Sequence, residues 1–312
     1  MSKLAIIGAG AVGSSIAYAC MIRGVCDRIA IYDLNGKRAE AEAADLNHGA
    51  AFVPSVSILG SGDLAICGGA DVVVITAGAK QQPGQPRTEL AQANVAICRD
   101  VIPKLLQVAP NATLLLVTNP VDVITYAAAK IGGLPRDRVF GSGTVLDSAR
   151  LRYLIAQRLN IAPQSVHAYV VGEHGDSEMP LWSSATIGTV PLSRWAVPGH
   201  SAMTQADMDA IFENVRTAAY QVIAGKGVTN YAIGLSTAKI LEALFHNENR
   251  VLAVSTLIEE WQGIRDVCLS LPCVVGHNGA EPPLPISVSD AELAGLRKSA
   301  EVIRGVIREV GF

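Results

Sequence analysis

The run Lys3-Leu4-Ala5-Ile6-Ile7-Gly8-Ala9-Gly10-Ala11-Val12-Gly13 decides the fold. An apolar stretch closing on glycines spaced GxGxxG is the pattern of a strand that turns through a phosphate-binding loop into a helix. Gly8 allows the tight turn, Gly10 lets the backbone approach a pyrophosphate, and Gly13 lets the helix lie close to the strand. N–H groups at the helix start then face the anion. Val12 belongs to the same cofactor loop. A bare GxGxxG also occurs in ordinary turns, but here Asp33 follows twenty residues past Gly13, directly after the second hydrophobic run. A carboxylate there accepts hydrogen bonds from both ribose hydroxyls of NAD and repels a 2′-phosphate. Leu34-Asn35 brings no arginine beside it. Arg38 can reach back in principle, though an exposed helix arginine is its expected role.

Outward from that loop the chain keeps an αβ rhythm. The small-residue segment Ala11 to Cys20 reads as a helix and Arg28 to Tyr32 as a strand. Asp71 to Ile75 and Thr113 to Val117 read as buried parallel strands, separated by a helix from Thr88 to about Val108. The expected fold class is α/β, with an N-terminal Rossmann-type parallel sheet over residues 1–140 and ligand loops at the carboxyl ends of its strands. Residues 141–312 read as an α+β catalytic and substrate-binding region packed against that sheet. It holds helices from Val145 to Leu159, Gln205 to about Ala224, Thr229 to Phe245 and Asp290 to about Val310. Its β-rich runs are Val166 to Val171, Leu252 to Leu257 and Val267 to Leu271. Gly132-Gly133 and Pro191 to Gly199 are loop signals.

A chain of 312 residues with 50% hydrophobic and 17% charged types has room for a large core and two regions sharing a cleft. Its formal net charge of -3 removes the simplest electrostatic reason for binding nucleic acid. The six cysteines form no CxxC pair, so reduced buried thiols are expected rather than a disulfide framework or a metal site. No apolar run is long enough to cross a membrane as a helix. Met1-Ser2-Lys3 leads at once into the first strand, leaving no signal peptide and pointing to the cytoplasm.

Chemistry is carried by Gly172-Glu173-His174-Gly175-Asp176, downstream of Asp147-Ser148-Ala149-Arg150. A histidine titrating near neutral pH exchanges protons, an aspartate orients it, and an arginine fork holds a carboxylate. Taken singly, His174 reads equally as a hydrogen-bonded loop residue, and Arg150 or Arg87 as a surface cation.

Together with Ile75-Thr76-Ala77-Gly78-Ala79 and Thr118-Asn119-Pro120-Val121-Asp122, these motifs resemble the L-lactate and malate dehydrogenase family, from about Lys3 to the end of the chain. The resemblance implies that His174 gives a proton in pyruvate reduction and takes one in L-lactate oxidation, with Asp147 orienting its ring. It implies that Arg150 clamps the substrate carboxylate and that the loop residue Arg87 polarises the carbonyl. Asn119 is implied to support the carbonyl and cofactor region, Thr229 to line the small side-chain pocket, and Thr76, Ala77, Gly78 and Ile233 to help form the cofactor cleft. Within the family, Lys80-Gln81-Gln82-Pro83-Gly84-Gln85-Pro86-Arg87 and Val228-Thr229-Asn230-Tyr231 look like the lactate branch. Gln81 is uncharged where an arginine would pair with the second carboxylate of malate. Gln85 and Pro86 depart from the acidic and small residues usual in that loop.

A homotetramer is also implied, as is regulation by fructose 1,6-bisphosphate. Arg152 and His167 match the two positions that build an anion site between subunits in many bacterial relatives. Two other readings stay open: a related L-2-hydroxyacid or malate dehydrogenase, and a dinucleotide-binding regulatory protein without turnover.

Overall fold

The computed structural model describes residues 1–79, 87–196 and 202–312. Gln81, Gln85 and Pro86 lie outside the described residues, as does the side chain of Arg87. The first half runs β1 (Lys3–Ile7), α1 (Ala11–Arg23), β2 (Arg28–Tyr32), α2 (Gly36–His48), β3 (Ser57–Ser61), β4 (Val72–Ile75), α3 (Arg87–Val108), β5 (Thr113–Leu116), α4 (Val121–Gly132) and β6 (Val139–Gly141). The second runs α5 (Val145–Leu159), β7 (Val166–His167), β8 (Val170–Val171), β9 (Met179–Pro180), β10 (Thr186–Ile187), β11 (Val190–Pro191), α6 (Gln205–Lys226), α7 (Tyr231–Phe245), β12 (Arg250–Ile258), β13 (Val267–Gly276), β14 (Gly279–Pro283) and α8 (Asp290–Glu309).

Strands β1 to β6 lie parallel in the order β3-β2-β1-β4-β5-β6, with the reversal of winding beside β1 where a nucleotide is expected. Alternation along β1 divides the core between two faces. Ala5 and Ile7 join the cluster under α3, α4 and α8, while Leu4 and Ile6 join the one under α1 and α7. A third cluster lies between α5, α6 and the short strands β7, β8 and β10.

Beyond β6 the same sheet continues. Ser255 of β12 pairs antiparallel with Gly141, and β13 and β14 follow as a meander, making nine strands in all. Part of the second region therefore extends the sheet, while its helices and short strands pack beside it.

Several expected elements shift for physical reasons. The run Val166 to Val171 is two strands, because His167 pairs with Thr186 of β10 while Val170 and Val171 pair with β9. Strand β13 runs past the expected end at Leu271, through Pro272 to Gly276, and the Pro272 carbonyl accepts from Leu284 N–H at 2.8 Å. Helix α4 is an element the sequence reading does not expect, and Val121 to Ala129 on it are all buried. Helix α7 starts at Tyr231, which leaves Thr229 in the preceding turn. All six cysteines are free and buried.

Candidate active site

At the carboxyl end of β1, Gly8 has φ +111°, and its N–H donates to Tyr32 O at 2.7 Å. That conformation favours glycine. A Cβ on Gly13 would fall 1.9 Å from Gly8 O, so the helix lies against the loop as closely as the sequence required. A Cβ on Gly10 would meet nothing within 4 Å, and no side chain caps the start of α1. Open space before an uncapped helix start fits a phosphate. Asp33 stands at the end of β2 with Oδ2 accepting from Ala9 N–H at 2.7 Å and Oδ1 from Asn35 N–H at 2.9 Å, so one carboxylate fixes the loop and the start of α2. Arg38 is half exposed on α2 with its Nε 3.9 Å from Glu42, the helix role rather than a clamp turned back on Asp33.

The neighbouring loops are tied to this one. Thr76 Oγ1 donates to Ile7 O at 3.0 Å, and Thr118 Oγ1 donates to Ala77 O at 2.8 Å. Gly78 is wedged between loops, where a Cβ would sit 2.5 Å from Thr118 Cγ2. Asn94 was missed by the sequence reading. Buried on α3, it accepts from Ala79 N–H at 2.7 Å and donates to Asn119 O at 2.7 Å, joining the loops after β4 and β5. Ile233 is half buried on α7, one residue before Gly234, where that helix meets Ser15 of α1.

A cavity of about 310 Å³ lies beside these loops, its wall including Asn119, Asp147, Arg150, His174, Glu178 and Arg216. Asp147 and Arg150 are one turn apart on α5, so both face the cavity. Asp147 Oδ1 accepts from Arg150 Nη1 at 2.7 Å, and Asp147 Oδ2 lies 2.7 Å from His174 Nδ1. A buried carboxylate thus bridges the two residues read from sequence as carboxylate clamp and proton carrier. Burial favours its neutral form, but the charges and hydrogen bonds of His174 and Arg150 hold its pKa below the ordinary value. Burial would likewise lower His174; the charge and hydrogen bond of Asp147 outweigh it and lift the imidazole to about 9. The ring is therefore charged at neutral pH.

Distant segments fix the histidine loop. His174 N–H donates to Asp122 Oδ2 at 2.8 Å, and the other oxygen of Asp122 accepts from Ser255 Oγ at 2.6 Å. Glu173 N–H donates to Ser299 Oγ of α8 at 2.7 Å, and Gly172 pairs with Ser270 of β13. Asp122 was quoted in the sequence motif without a role. Glu178 was overlooked because an acid in a polar loop reads as solvated, whereas the turn closed by Glu178 N–H on Gly175 O folds it inward.

Thr229 and Ile233 are not among the residues lining this cavity. Arg152 lines a separate cavity of about 630 Å³ with Arg23, Lys239 and Arg250; its Nε donates to Ala168 O at 2.9 Å and its guanidinium lies 4.9 Å from the Tyr169 ring centre. His167 is exposed on β7 and does not line that cavity. Among the described residues, no helix is long and apolar enough to cross a membrane.

Two family models cover the chain. That of the lactate/malate dehydrogenase NAD-binding domain matches residues 2–141, and that of the lactate/malate dehydrogenase alpha/beta C-terminal domain matches residues 144–311. An L-lactate dehydrogenase of Bifidobacterium animalis subsp. lactis is 52% identical over 312 residues, spanning 100% of this chain and 98% of that one. A crystal structure of a lactate dehydrogenase from a Medee basin deep-sea metagenome library superposes with a TM-score of 0.95 at 39% identity, covering 100% of this chain and 99% of its own. The minor L-lactate dehydrogenase of Enterococcus mundtii, in a ligand-bound form, gives 0.94 at 37% identity over 98% of both chains.

Proposed function

The chain belongs to the lactate/malate dehydrogenase family and acts as an NAD-dependent L-lactate dehydrogenase, interconverting pyruvate and L-lactate, and we propose how its own residues do so. The carrying observation is Asp147 bridging Arg150 and His174 on the cavity wall. Arg150 holds the substrate carboxylate through its planar fork. His174, kept charged by Asp147, gives its proton to the substrate oxygen as negative charge develops there, and takes it back in the reverse direction. Arg87 polarises the carbonyl, Gln81 leaves no counter-charge for a second carboxylate, Asn119 supports the carbonyl, and Thr229 bounds the small side chain.

Gly8, Gly10, Val12, Gly13 and Asp33, with Thr76, Ala77, Gly78, Asn119 and Ile233 around them, hold NAD, which supplies or accepts the hydride when bound. Residues 1–140 serve as the dinucleotide-binding domain and 141–312 as the catalytic and substrate-binding domain. The proposed location is the cytoplasm, where buried thiols stay reduced.

Loss of NADH absorbance with pyruvate, compared with oxaloacetate, a bulkier 2-oxo acid and no substrate, tests this reading. Pyruvate should be preferred, and Gln81→Arg should move the preference toward oxaloacetate. Oxaloacetate preferred by the native enzyme overturns the monocarboxylate assignment. Parallel titrations should show NADH far ahead of NADPH.

Assembly as a homotetramer with a fructose 1,6-bisphosphate site between subunits is the finer reading. Arg152 and His167 lie on neighbouring strand and helix segments, joined by the Arg152 bond to Ala168 O. Two symmetry-related pairs would gather four basic side chains, whose repulsion a bisphosphate offsets. Pyruvate titrations and light-scattering mass with and without the bisphosphate should show a lower pyruvate requirement and a larger assembly. Identical curves and masses would remove the effector and leave the enzyme assignment standing.

A further inference from the structure

Glu178 is a buried carboxyl on the wall of the substrate cavity, 6% exposed. Its Oε1 is buried and has no hydrogen-bond partner among the described residues. Ligand atoms of Glu178, His174 and Asp147 all lie within 4.8 Å of one another. The two oxygens of Asp147 face Arg150 and His174, and no hydrogen bond joins Asp147 to Glu178 Oε1 among the described residues. Leaving a buried polar atom without a partner is costly, more so when it is charged, so a feature of this kind in a substrate cavity calls for a functional account.

The charges around it supply one. The described residues lining the cavity bring three cations, Arg150 of α5, His174 and Arg216 of α6, against two anions, Asp147 and Asp176. Arg216 is paired with Glu213 at 2.6 Å, and Asp176 accepts from Tyr220 Oη at 3.4 Å. Behind the wall, Glu173 is held by Ser177 Oγ at 2.5 Å, and Asp122 is held by Ser255 and the His174 backbone. With Arg216 offset by Glu213, Arg150 and His174 balance Asp147 and Asp176 while Glu178 is neutral. Ionised, Glu178 leaves an uncompensated negative charge against an incoming carboxylate.

We propose that Glu178 is a substrate-selecting residue of this cavity: as a neutral acid it leaves the site receptive to a single carboxylate, and on ionisation it closes the site electrostatically. The proposal rests on the lactate dehydrogenase reading and deepens it, since the same balance disfavours a dicarboxylate. Burial, with the charge of Asp147 adding, pushes the Glu178 carboxyl up to about 8, which keeps it protonated at neutral pH. Binding of a monocarboxylate brings a further negative charge beside it and draws in a proton by linkage.

Oxamate, a monocarboxylate analogue of pyruvate that is not reduced, isolates binding from turnover. Its Kd for the NADH complex of the native enzyme should rise about fourfold from about pH 6.5 to about pH 8.5, the loss expected when only the protonated fraction binds. In Glu178→Gln the Kd should stay nearly level over that range and climb only as His174 loses its proton. Native enzyme should also take up a proton when it binds oxamate near pH 8, read by calorimetry in two buffers of different ionisation enthalpy, a measurement that needs no variant. Superimposable profiles for the two proteins, or binding near pH 8 without proton uptake, would overturn the proposal. A native NADH complex that binds no oxamate even at acidic pH would instead sink the lactate dehydrogenase reading, and the proposal with it.

Discussion

The two ends of the cleft are built by different physics. At the cofactor end, everything from Gly8 to Asp33 lies within one βαβ unit, and its shape is set by backbone: a positive φ, a contact too close for a Cβ, and open space before an uncapped helix. At the proton end, His174 is held by Asp147 from α5, by Asp122 from α4 and, through the residues before it, by α8 and β13. Its properties come from buried charge. Substitutions at the first end should therefore act through steric fit and nucleotide affinity, and substitutions at the second through proton transfer.

His174→Ala tests the second half of that contrast with the largest expected effect. Removing the proposed proton carrier should slow single-turnover pyruvate reduction by about 10²–10⁴-fold, the general scale of acid-base catalysis. NADH affinity should hold, because the nucleotide loop shares no hydrogen bond with the ring. An unchanged hydride-transfer rate would break the assignment of His174.

The same contrast explains what the sequence disclosed. Gly8, Gly10, Gly13 and Asp33 were readable because their geometry is encoded over a short stretch, and the Rossmann-type parallel sheet was readable from the αβ rhythm of the segments around them. His174, Asp147 and Arg150 were readable from their residue types as acid-base and carboxylate-holding chemistry, but their separate roles came only through resemblance, since nothing local says that α5 meets the loop after β8. Glu178 and Asn94 gave no signal and Asp122 no role, because their burial is produced by tertiary folding.

Gly13→Ala and Gly10→Ala break the cofactor end in two distinguishable ways. A methyl on Gly13 enters the space of Gly8 O and should destabilise the fold by about 1–3 kcal/mol, the usual penalty of overpacking, with NADH affinity falling too. A methyl on Gly10 meets only open space in the free protein, so thermal stability should hold while NADH binding weakens. Melting curves without nucleotide separate the two. Equal losses of stability would show that the room beside Gly10 is not reserved for a phosphate.

A pH series sharpens the proton end. His174 is raised from 6.5 to about 9, so its charged form persists through neutrality. The maximal rate of pyruvate reduction should stay level up to about pH 9 and then fall about tenfold per unit, while that of lactate oxidation, which needs the neutral ring, should climb toward the same value. Stability follows the same sign: the contribution of the raised pKa is present in full below the unfolded value and is lost as pH rises through about 9. A reduction rate already falling near pH 6.5 would mean that Asp147 does not hold the proton on the ring.

The smallest effect is expected where the two ends meet. Asp122 opens α4 directly after the cofactor-side loop, yet its carboxylate accepts from His174 N–H and from Ser255 Oγ. In Asp122→Asn the amide oxygen keeps the His174 bond, and the Ser255 hydroxyl turns to accept from the new NH₂, so the loop stays in place. The rate of pyruvate reduction should then drop by less than about tenfold, and the alkaline limb should move down by less than a unit, because one of the charges that raise His174 has gone. Burial lifts Asp122 itself to about 6, so its contribution to stability is full below its unfolded pKa and lost as pH rises through about 6; Asn should flatten that dependence. Asp122→Ala removes both acceptors and leaves a buried N–H and hydroxyl unpaired, at about 1–3 kcal/mol each, with a correspondingly larger kinetic loss. Equal behaviour of Asn and Ala would assign the role of Asp122 to its charge alone. Asn close to native and Ala well below it would show that the histidine loop is held by geometry as well as by electrostatics.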